Sequence, residues 1–520
     1  HIFINIYLTN LVKIFSIYEI KVYFCSIIIM KMKKVVIIGS GFSAIASACY
    51  MAKAGYSVQV LEKNEQLGGR ASLLEIEGFK FDMGPSWYWM PDIFESFFAD
   101  FGKKVSDYYQ LQKLSPGYRV IFGKDDYIDI SDEPEKIIAK FEEVEPGSGK
   151  HLRKFMEDSR KNYEIAMKDL VYNPGKSLLE LVSVETAVRL PLFVQNISQT
   201  VRKNIKNPKL QSILEFPVLF LGAKPQNTPA FYNFMNHADF GLGTWYPKGG
   251  FNAVALGMVK LAKELGVQFH INEEVTKIET ENNKAKRVIT KTHIFEADLV
   301  ISGADYAHTD KLLQTDQKNY SEEYWQKKVF APSSFLYYVA FDKKVPELQH
   351  HNLFFDTDFE HHAKEIYDTP KLPTKPLFYA NFSSKTDPDL CPEGKEIGFF
   401  LIPVAVDLED SQDIHDRYFG LIMDRIEKNI GVDLRQSVLF KKSFGVQDFK
   451  ERYNSCRGNA YGLANTLLQT SILRPSISNK KIKNLFYTGQ LTVPGPGVPP
   501  ALISGKVVTD YIIQHQNKIF

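Results

Sequence analysis

The feature that most constrains the fold is the stretch KKVVIIGSGFSAIASACYMAKAGYSVQVLEKNEQLGGR, residues 33–70. Residues 35–38 are four β-branched residues in succession, a run typical of a parallel strand that is buried on both faces. They lead directly into a G-x-G-x-x-G/A turn formed by Gly39, Gly41 and Ala44. Small residues at these positions allow the backbone and the N-terminus of the next helix to approach a pyrophosphate closely. The stretch therefore predicts a βαβ unit that binds a dinucleotide.

An acidic residue and an arginine follow the turn. Glu62 ends the second predicted strand, about 20 residues after the glycines, where a carboxylate can accept hydrogen bonds from ribose hydroxyls. Beyond it come Gly68, Gly69 and Arg70, and the pattern Glu-x5-Gly-Gly-Arg resembles the extended signature of FAD enzymes of the amine-oxidase and carotenoid-desaturase type. The arginine supplies a fixed positive charge for a diphosphate, which an ordinary nicotinamide dehydrogenase does not need. The pattern favours FAD, and the alternative is a surface turn with a solvated arginine.

Charge and cysteine spacing argue against several other classes of protein. The chain has 63 basic and 61 acidic residues, so it offers no electrostatic reason to bind nucleic acid. Its four cysteines lack C-x-x-C or metal-ligand spacing, which suits a reducing cytosol and argues against a disulfide-reductase flavoenzyme. Two histidine doublets, at 350–351 and 361–362, lack acids or cysteines at metal-like spacing. We therefore expect neither a metal site nor a nucleic-acid partner.

At 520 residues the chain exceeds one typical hydrophobic core, so we expect two domains. A strand that ends in YTG, followed by a loop rich in proline and glycine, repeats the nucleotide-binding pattern near the C-terminus. The expected fold class is α/β, a Rossmann-like FAD/NAD(P)-binding domain with an inserted α+β substrate domain. The predicted boundaries are 31–106, 243–305 and 473–520 for the discontinuous FAD-binding domain, and 107–242 and 306–472 for the substrate and membrane-associating domain.

Residues 1–30 differ from the rest of the chain. They begin without Met, are rich in Ile, Tyr, Phe and Asn, and carry charged residues inside their apolar run. They match neither a signal peptide nor an uninterrupted transmembrane span. We expect translation to start at Met30 or Met32 and this leader to be non-native upstream sequence, which mass spectrometry of the native N-terminus tests.

A dense aromatic cluster follows the first predicted hairpin. The segment DMGPSWYWMP, residues 82–91, places Trp87, Tyr88 and Trp89 shortly before three phenylalanines. For any single ring, the simpler interpretation is ordinary core packing. Together, their density predicts the lining of an apolar substrate channel.

An apolar stripe with basic flanks occurs between residues 189 and 209. Its apolar members fall on one face of a predicted helix through residues 190–205, and arginines and lysines stand beside them. Such a helix can lie on a membrane surface with its basic residues near lipid headgroups. The alternative is an ordinary amphipathic helix packed on the core.

Taken together, the motifs resemble those of bacterial phytoene desaturases, in the carotenoid-desaturase branch of the amine-oxidase-like flavoproteins. The resemblance spans residues 33–513 and rests on GSGFSA, LEKNEQLGGR, FDMGPSWYWMP, GTWYPKGGF, YNSCRGNAYGL and YTGQLTVPGPGVPPALISG. Many relatives have Thr-His-Pro where this chain has Thr492, Val493 and Pro494, so a histidine cannot be essential there. The resemblance implies that FAD is bound by Gly39, Gly41, Ala44, Glu62, Gly69, Arg70, Val275 and Gly489.

The resemblance also implies an activity and a location. The expected reaction is FAD-dependent desaturation of a C40 carotenoid precursor, phytoene toward neurosporene or lycopene. The sequence does not identify the electron acceptor, for which quinone and oxygen are both candidates. Because such a long apolar polyene dissolves only in lipid, we expect a cytoplasmic protein bound peripherally to the inner face of the cell membrane. A hydrocarbon offers no heteroatom to an acid or base. Arg153 is the one catalytic candidate, and a helix-surface charge is its alternative role.

Other functions share parts of this pattern. A carotenoid isomerase or a desaturase of hydroxylated carotenoids shares nearly every motif, whereas an amine oxidase needs a cage for a polar substrate. A non-catalytic carrier of prenyl lipids can reuse the fold without flavin. The intact Glu-x5-Gly-Gly-Arg pattern argues against such a carrier.

Overall fold

A computed structural model of the chain describes residues 32–177, 180 and 189–520, so the predicted leader at residues 1–30 lies outside the described residues. The strands within these ranges are β1 (Lys34–Ile38), β2 (Ser57–Leu61), β3 (Leu73–Ile76), β4 (Phe79–Asp82), β5 (Leu111–Lys113), β6 (Tyr118–Gly123), β7 (Asp126–Ile130), β8 (Trp245–Pro247), β9 (Gln268–His270), β10 (Val275–Glu281), β11 (Lys284–Thr290), β12 (Ile294–Glu296), β13 (Leu299–Ser302), β14 (Ser333–Phe341), β15 (His351–Phe354), β16 (Phe378–Asn381), β17 (Glu396–Val404), β18 (Val438–Phe444) and β19 (Leu485–Tyr487).

The α-helices of the same ranges follow the same order along the chain. They are α1 (Phe42–Lys53), α2 (Pro91–Ala99), α3 (Pro134–Val144), α4 (Ser148–Ile165), α5 (Leu190–Val194), α6 (Ile197–Asn204), α7 (Pro208–Glu215), α8 (Phe234–Asn236), α9 (Gly250–Glu264), α10 (Tyr306–Lys311), α11 (Glu322–Lys327), α12 (Phe359–Tyr367), α13 (Gln412–Ile430), α14 (Val446–Tyr453), α15 (Val498–Gln514) and α16 (Gln516–Ile519).

The first sheet is parallel, with five strands in the order β19-β13-β1-β2-β9. Val35, Val36 and Ile37 in its central strand are completely buried, as their β-branched run predicts. The chain adds β2 and β9 on one side of β1 and β13 and β19 on the other. Between β1 and β13 the sheet therefore has a topological switch point, and sheets of this kind bind ligands beyond the carboxyl ends of the strands there.

Helix α1 lies close to both the sheet and α15 because the facing residues are small. A Cβ built on Gly505 of α15 would lie 2.7 Å from both Ala46 Cβ and Ser43 O. One built on Gly303, just after β13, would lie 2.7 Å from Ala44 Cβ. These approaches leave no room for larger side chains and fix the start of α1 at the switch point.

The second sheet has seven strands in the order β18-β14-β17-β16-β15-β6-β7, and only the pairing of β15 with β6 is parallel. All nine residues of β14 are buried. One of its faces packs into the main core, and the other packs with the apolar face of α13. The α/β fold class predicted from the sequence is confirmed, whereas the exact domain boundaries stay a prediction.

A helical region, which comprises α3 to α8, lies between β7 and β8 in the described part of the chain. The sequence predicted one helix through residues 190–205, but the structure has two, because Asn196 caps α6 by accepting a backbone N–H at 2.8 Å. Ile197, Val201 and Ile205 of the predicted stripe are buried. This part of the stripe therefore packs as core. Among the described residues, no helix combines the length and the apolar character needed to cross a bilayer.

Candidate cofactor and substrate site

A cavity of about 590 Å³ begins at the carboxyl ends of β1 and β13 and continues between the second sheet and the helical region. The end at the first sheet is lined by glycines, polar groups and charged side chains. The other end is lined mainly by aromatic and aliphatic side chains. The cavity therefore joins two chemically different sites, and each is built from distant parts of the chain.

The polar end is organised by the turn after β1. Gly39 has a φ of +87°, and its N–H donates to Leu61 O at 2.8 Å, which ties the turn to β2. Gly41 precedes α1 with an ordinary φ of −72°. A Cβ built on Gly41 would meet no described atom within 4 Å, although Gly41 lines the cavity. The missing side chain thus leaves open space before the first N–H groups of α1, where a phosphate fits.

Two glycines from other segments complete this turn. A Cβ on Gly69, which has a φ of +57°, would lie 3.1 Å from Gly41 Cα. One on Gly489, with a φ of +106°, would lie 3.0 Å from Ser43 Oγ. Three segments far apart in sequence therefore meet here. Ala44, the third position of the sequence motif, lies inside α1 against Gly303 and is not part of the cavity lining.

A second helix N-terminus borders the same cavity. Helix α15 begins after Gly497, and residues 497–501 line the cavity together with Gly489. Pro499 and Pro500 in its first turn have no N–H, so Val498 is the first residue there that offers one. The contribution of this helix to an anion site is therefore mainly its dipole.

Glu62 is 4 % exposed and lines the cavity next to the turn. Its Oε2 accepts from Ser40 N at 3.0 Å and from Ser40 Oγ at 2.6 Å. Its Oε1 accepts from Asn64 N at 2.9 Å and from Asn64 Nδ2 at 3.0 Å. These four donors fill the lone-pair directions of the carboxylate. A ribose would displace the two side-chain donors, while the two backbone N–H groups keep the carboxylate in place.

Arg70 shows most directly that the polar end fits an anion. Its Nε is buried without a hydrogen-bond partner, and its Nη2 donates to Ser455 Oγ and Asn459 O at 3.4 Å. No carboxylate of the described residues forms an ion pair with it, and burial lowers the pKa of the guanidinium. A half-buried cation without an ion-pair partner is costly, and a diphosphate at the turn can pair with the planar fork of this guanidinium. The residues present therefore fit a dinucleotide.

Val275 lies at the Glu62 side of the polar end. It begins β10, is 6 % exposed and lines the cavity beside Glu273 and Glu274. The N–H of Glu273 donates to Glu62 O at 2.8 Å, which holds the two segments together. The contact between Val275 and the cofactor stays a prediction.

The apolar end begins at the aromatic segment after β4. Side chains alternate along the extended backbone of residues 87–89. Trp87 and Trp89 therefore both line the cavity, with ring centroids 5.4 Å apart. Tyr88 points the other way into the core, where it stacks on Phe94 at 4.3 Å. Of the three predicted channel residues, the structure brings two to the cavity and places Tyr88 behind it.

Beyond Trp87, the walls consist of residues that the sequence did not predict as channel lining. The helical region, the second sheet and α12 each contribute to them, and no local pattern connects these segments. The main apolar residues of the walls are Phe193, Phe216, Phe220, Phe231, Phe234, Leu353, Phe355, Phe359, Phe378 and Leu401.

The histidine doublet at 350–351 supports the aromatic wall from behind. The ring of His351 stacks on Trp87 at 4.3 Å, and its Nδ1 lies 2.6 Å from the Tyr379 hydroxyl. The Nδ1 of His350 is hydrogen-bonded to Thr386 Oγ1 at 2.7 Å. Burial lowers the pKa of His350 to about 3 and the pKa of His351 well below its ordinary value. Both rings are therefore neutral packing elements at physiological pH.

Arg153 lies outside the cavity. It stands on the exposed face of α4 and donates from Nη1 and Nη2 to the Glu135 carboxylate at 2.7 and 2.6 Å. It is not among the lining residues, so the structure places it as a helix-surface charge. Within the described ranges, no cluster of three His, Cys, Asp or Glu residues is arranged to hold a metal ion.

Comparison with known proteins identifies the family of this chain and solved structures with a similar fold. Residues 43–513 match the family of flavin containing amine oxidoreductases. A carotenoid 3,4-desaturase from Haloarcula japonica is 42 % identical over 486 residues, which is 92 % of this chain and 98 % of that protein. A zeta-carotene-forming phytoene desaturase from Myxococcus xanthus is 30 % identical over 496 residues, 92 % and 94 % of the two chains. The fold is similar to that of an oxidoreductase from Methanosarcina mazei, with a TM-score of 0.58, 18 % identity, and coverage of 92 % and 100 %.

Proposed function

The chain belongs to the flavin-containing amine oxidoreductase family, and on this basis we propose that it is an FAD-dependent desaturase of carotenoids. The observation that carries the proposal is one continuous cavity that runs from the glycine turn and the unpaired Arg70 to a long aromatic wall. Relatives named as desaturases of carotenoids cover nearly the whole chain, which supports it.

FAD is the cofactor of the family, and the polar end has the residues to hold it. We expect Gly41, Gly69 and Gly489 to admit the diphosphate, Arg70 to pair with it and Glu62 to bind the ribose. When bound, FAD supplies the two-electron acceptor that removal of hydrogen from a carbon–carbon bond requires.

The aromatic wall orients the substrate and keeps water away from it. A polyene makes no directional bonds, so it is held by burial of apolar surface, which contributes about 25 cal/mol per Å². The segment that carries Trp87 and Trp89 starts at the polar end, where a Cβ built on Gly84 would lie 2.7 Å from Arg70 O, and both rings line the cavity. Their ring faces can stabilise positive charge that develops along the polyene during oxidation. The chain thus contributes position and surroundings rather than an acid or base.

Two substrates are candidates under this proposal. The motifs favoured phytoene, a C40 precursor that becomes coloured when desaturated toward neurosporene or lycopene. The 42 % identity to a carotenoid 3,4-desaturase favours a different bond, at the 3,4 position of an already coloured carotenoid. A desaturase of hydroxylated carotenoids or a carotenoid isomerase shares the same motifs.

Pigment analysis in engineered hosts separates these candidates. The protein is expressed in one host that accumulates phytoene and in another that accumulates lycopene, and the extracted pigments are read by absorption and mass. New coloured bands from phytoene support the first candidate, and a loss of two hydrogens with a red shift in the lycopene host supports the second. A change of absorption without a change of mass indicates an isomerase. A third host, which makes hydroxylated carotenoids, tests whether the protein desaturates those compounds instead.

The purified protein distinguishes the remaining classes. A yellow protein that releases FAD is expected, whereas a colourless protein that cannot take up FAD would indicate a prenyl-lipid carrier. Production of peroxide with amines, and no pigment change in any host, would indicate an amine oxidase and overturn the proposal.

We also propose that the protein attaches peripherally to the inner face of the cell membrane, because its substrate dissolves only in lipid. Co-sedimentation with lipid vesicles tests this attachment. Reoxidation of the reduced protein by a quinone or by oxygen, followed at the flavin absorption band, identifies the electron acceptor.

A further inference from the structure

A buried arginine lies behind the cavity wall on the side of Gly489. Arg474 is 5 % exposed, and its guanidinium is fully engaged with neutral oxygen atoms. Its Nε donates to Thr492 O at 2.7 Å. Its Nη2 donates to Gln490 O at 2.7 Å and to Leu463 O at 3.3 Å. Its Nη1 donates to Gln469 O at 3.1 Å and to Asn465 Oδ1.

The charge of Arg474 is not balanced by any described residue. No carboxylate in the described ranges forms an ion pair with it, and its acceptors are carbonyl oxygens of the backbone and of an amide. Burial lowers the pKa of Arg474 to about 10, so the group is still a cation at neutral pH. Arg425 makes the contrast clear, because its side chain is similarly buried, at 12 % exposure, but is paired with Asp356. A buried cation without a counter-charge is costly to a folded protein.

The acceptors place this charge directly behind the cavity loop. Gln490 and Val493 line the cavity next to Gly489, and Thr492 lies between them in sequence. The carbonyl oxygens of Gln490 and Thr492 point at Arg474, so the positive ends of these two dipoles point away from it. The guanidinium and the loop therefore combine to make this wall of the cavity electropositive.

We propose that Arg474 favours reduction of the bound cofactor by stabilising the negative charge that reduction brings into the cavity. When a substrate gives up a hydride equivalent, the cofactor site gains two electrons and one proton, and hence one negative charge. The matching proton leaves the neighbouring carbon of the substrate. A fixed cation behind the wall lowers the energy of the charged product without touching the substrate. The inference rests on FAD binding and does not depend on which carotenoid is oxidised.

The reduction potential of the FAD-loaded protein, measured without substrate against a reference dye, tests this role. Arg474→Gln removes the charge and keeps some of the hydrogen bonds, and it should lower the equilibrium constant for reduction by on the order of tenfold, about 30 mV for a two-electron couple. Arg474→Lys keeps the charge and loses several bonds, so its constant should stay within about threefold of wild type. Arg425→Gln is the matched control, which should reduce stability and leave the potential unchanged.

A further variant keeps the test decisive if Arg474→Gln fails to hold FAD. Asn465→Asp places a carboxylate on the same guanidinium without removing it, and Asn465 itself lines the cavity, so the added negative charge should lower the potential in the same direction. Equal shifts in Arg474→Gln and Arg474→Lys would assign Arg474 to holding the loop in place. An unchanged potential in Arg474→Gln or in Asn465→Asp would overturn the electrostatic role. The potentials are measured without substrate, so a failure of this inference does not affect the proposed carotenoid reaction. The pigment analysis tests that reaction separately.

Discussion

Replacing Gly41 with alanine should leave the apoprotein at least as stable as wild type and yet abolish tight FAD binding. The φ of −72° is open to any residue, and a Cβ there would meet no described atom within 4 Å. Without strain, such a change raises the free energy of unfolding by about 0.4–1 kcal/mol, because the unfolded chain loses entropy. The new methyl group fills the space where the diphosphate approaches the backbone. Loss of one charge-assisted hydrogen bond, about 1.5–3 kcal/mol, weakens binding by roughly ten- to a hundredfold, and loss of a second bond weakens it further.

Two measurements on the same protein check this prediction. Urea unfolding of the apoprotein gives the stability, and quenching of flavin fluorescence during titration with FAD gives the affinity. Gly420→Ala is the matched control, since a Cβ there also meets no described atom within 4 Å and the residue lies in α13, away from the cavity lining. It should gain about 0.8–1 kcal/mol of stability and bind FAD normally. Wild-type affinity in Gly41→Ala would show that the diphosphate does not lie at this turn and would refute the reasoning.

Three further predictions follow from the same structure. Arg70→Met should make the apoprotein more resistant to urea, because it removes a half-buried charge that has no ion-pair partner. It should also weaken FAD binding at least about tenfold, and a less stable apoprotein would contradict the reasoning. Trp87→Glu should stop turnover of the polyene while FAD stays bound, because it puts a charge on the apolar wall. Tyr88→Phe should keep turnover but lose about 1 kcal/mol of stability, because it removes the hydrogen bond to the Tyr109 hydroxyl. Pigment assays measure the turnover of both variants, and urea unfolding measures their stability. Stability should fall as the pH drops from 6.5 toward 3, because the unfolded chain protonates His350 near pH 6.5 and the folded protein only at about 3. Between these pH values His350 alone changes the free energy of unfolding by about 1.4 kcal/mol per pH unit. Urea titrations at pH 7 and pH 5 measure this change, and an equal change in wild type and in His350→Gln would disprove the role of the histidine.

The polar end of the cavity could be predicted because its chemistry is local. The strand, the glycine turn and the start of α1 follow one another without a break, so the sequence alone indicates where a phosphate can approach. Glu62 stands at the end of β2, and parallel neighbouring strands bring their carboxyl ends to the same edge. The repeat of this pattern around Gly489 predicted a second strand-glycine-helix unit at the same cofactor, and β19 does lie in the first sheet, paired with β13.

The apolar end could not be predicted in the same way because it depends on long-range packing. The direction of Tyr88 follows from a backbone bridge to residue 245, which its own segment does not reveal. Phe355 lies far along the chain from Phe216, yet their ring centroids are 6.0 Å apart in the folded protein. Residues 190–205 have helical periodicity throughout, and the break at Asn196 results from one side-chain cap that competes with continuation of the helix.

The contact between Gly489 and Ser43 has a consequence for how the protein is made. The glycine turn after β1 leaves the ribosome well before β19 and α15, because several hundred residues separate them in the sequence. A nascent chain that stops between these segments therefore carries only half of the proposed flavin site. FAD can be captured only when the segment around Gly489 folds back onto the turn before α1. Premature termination before residue 485 should consequently yield a chain that never turns yellow, however well its remaining strands assemble.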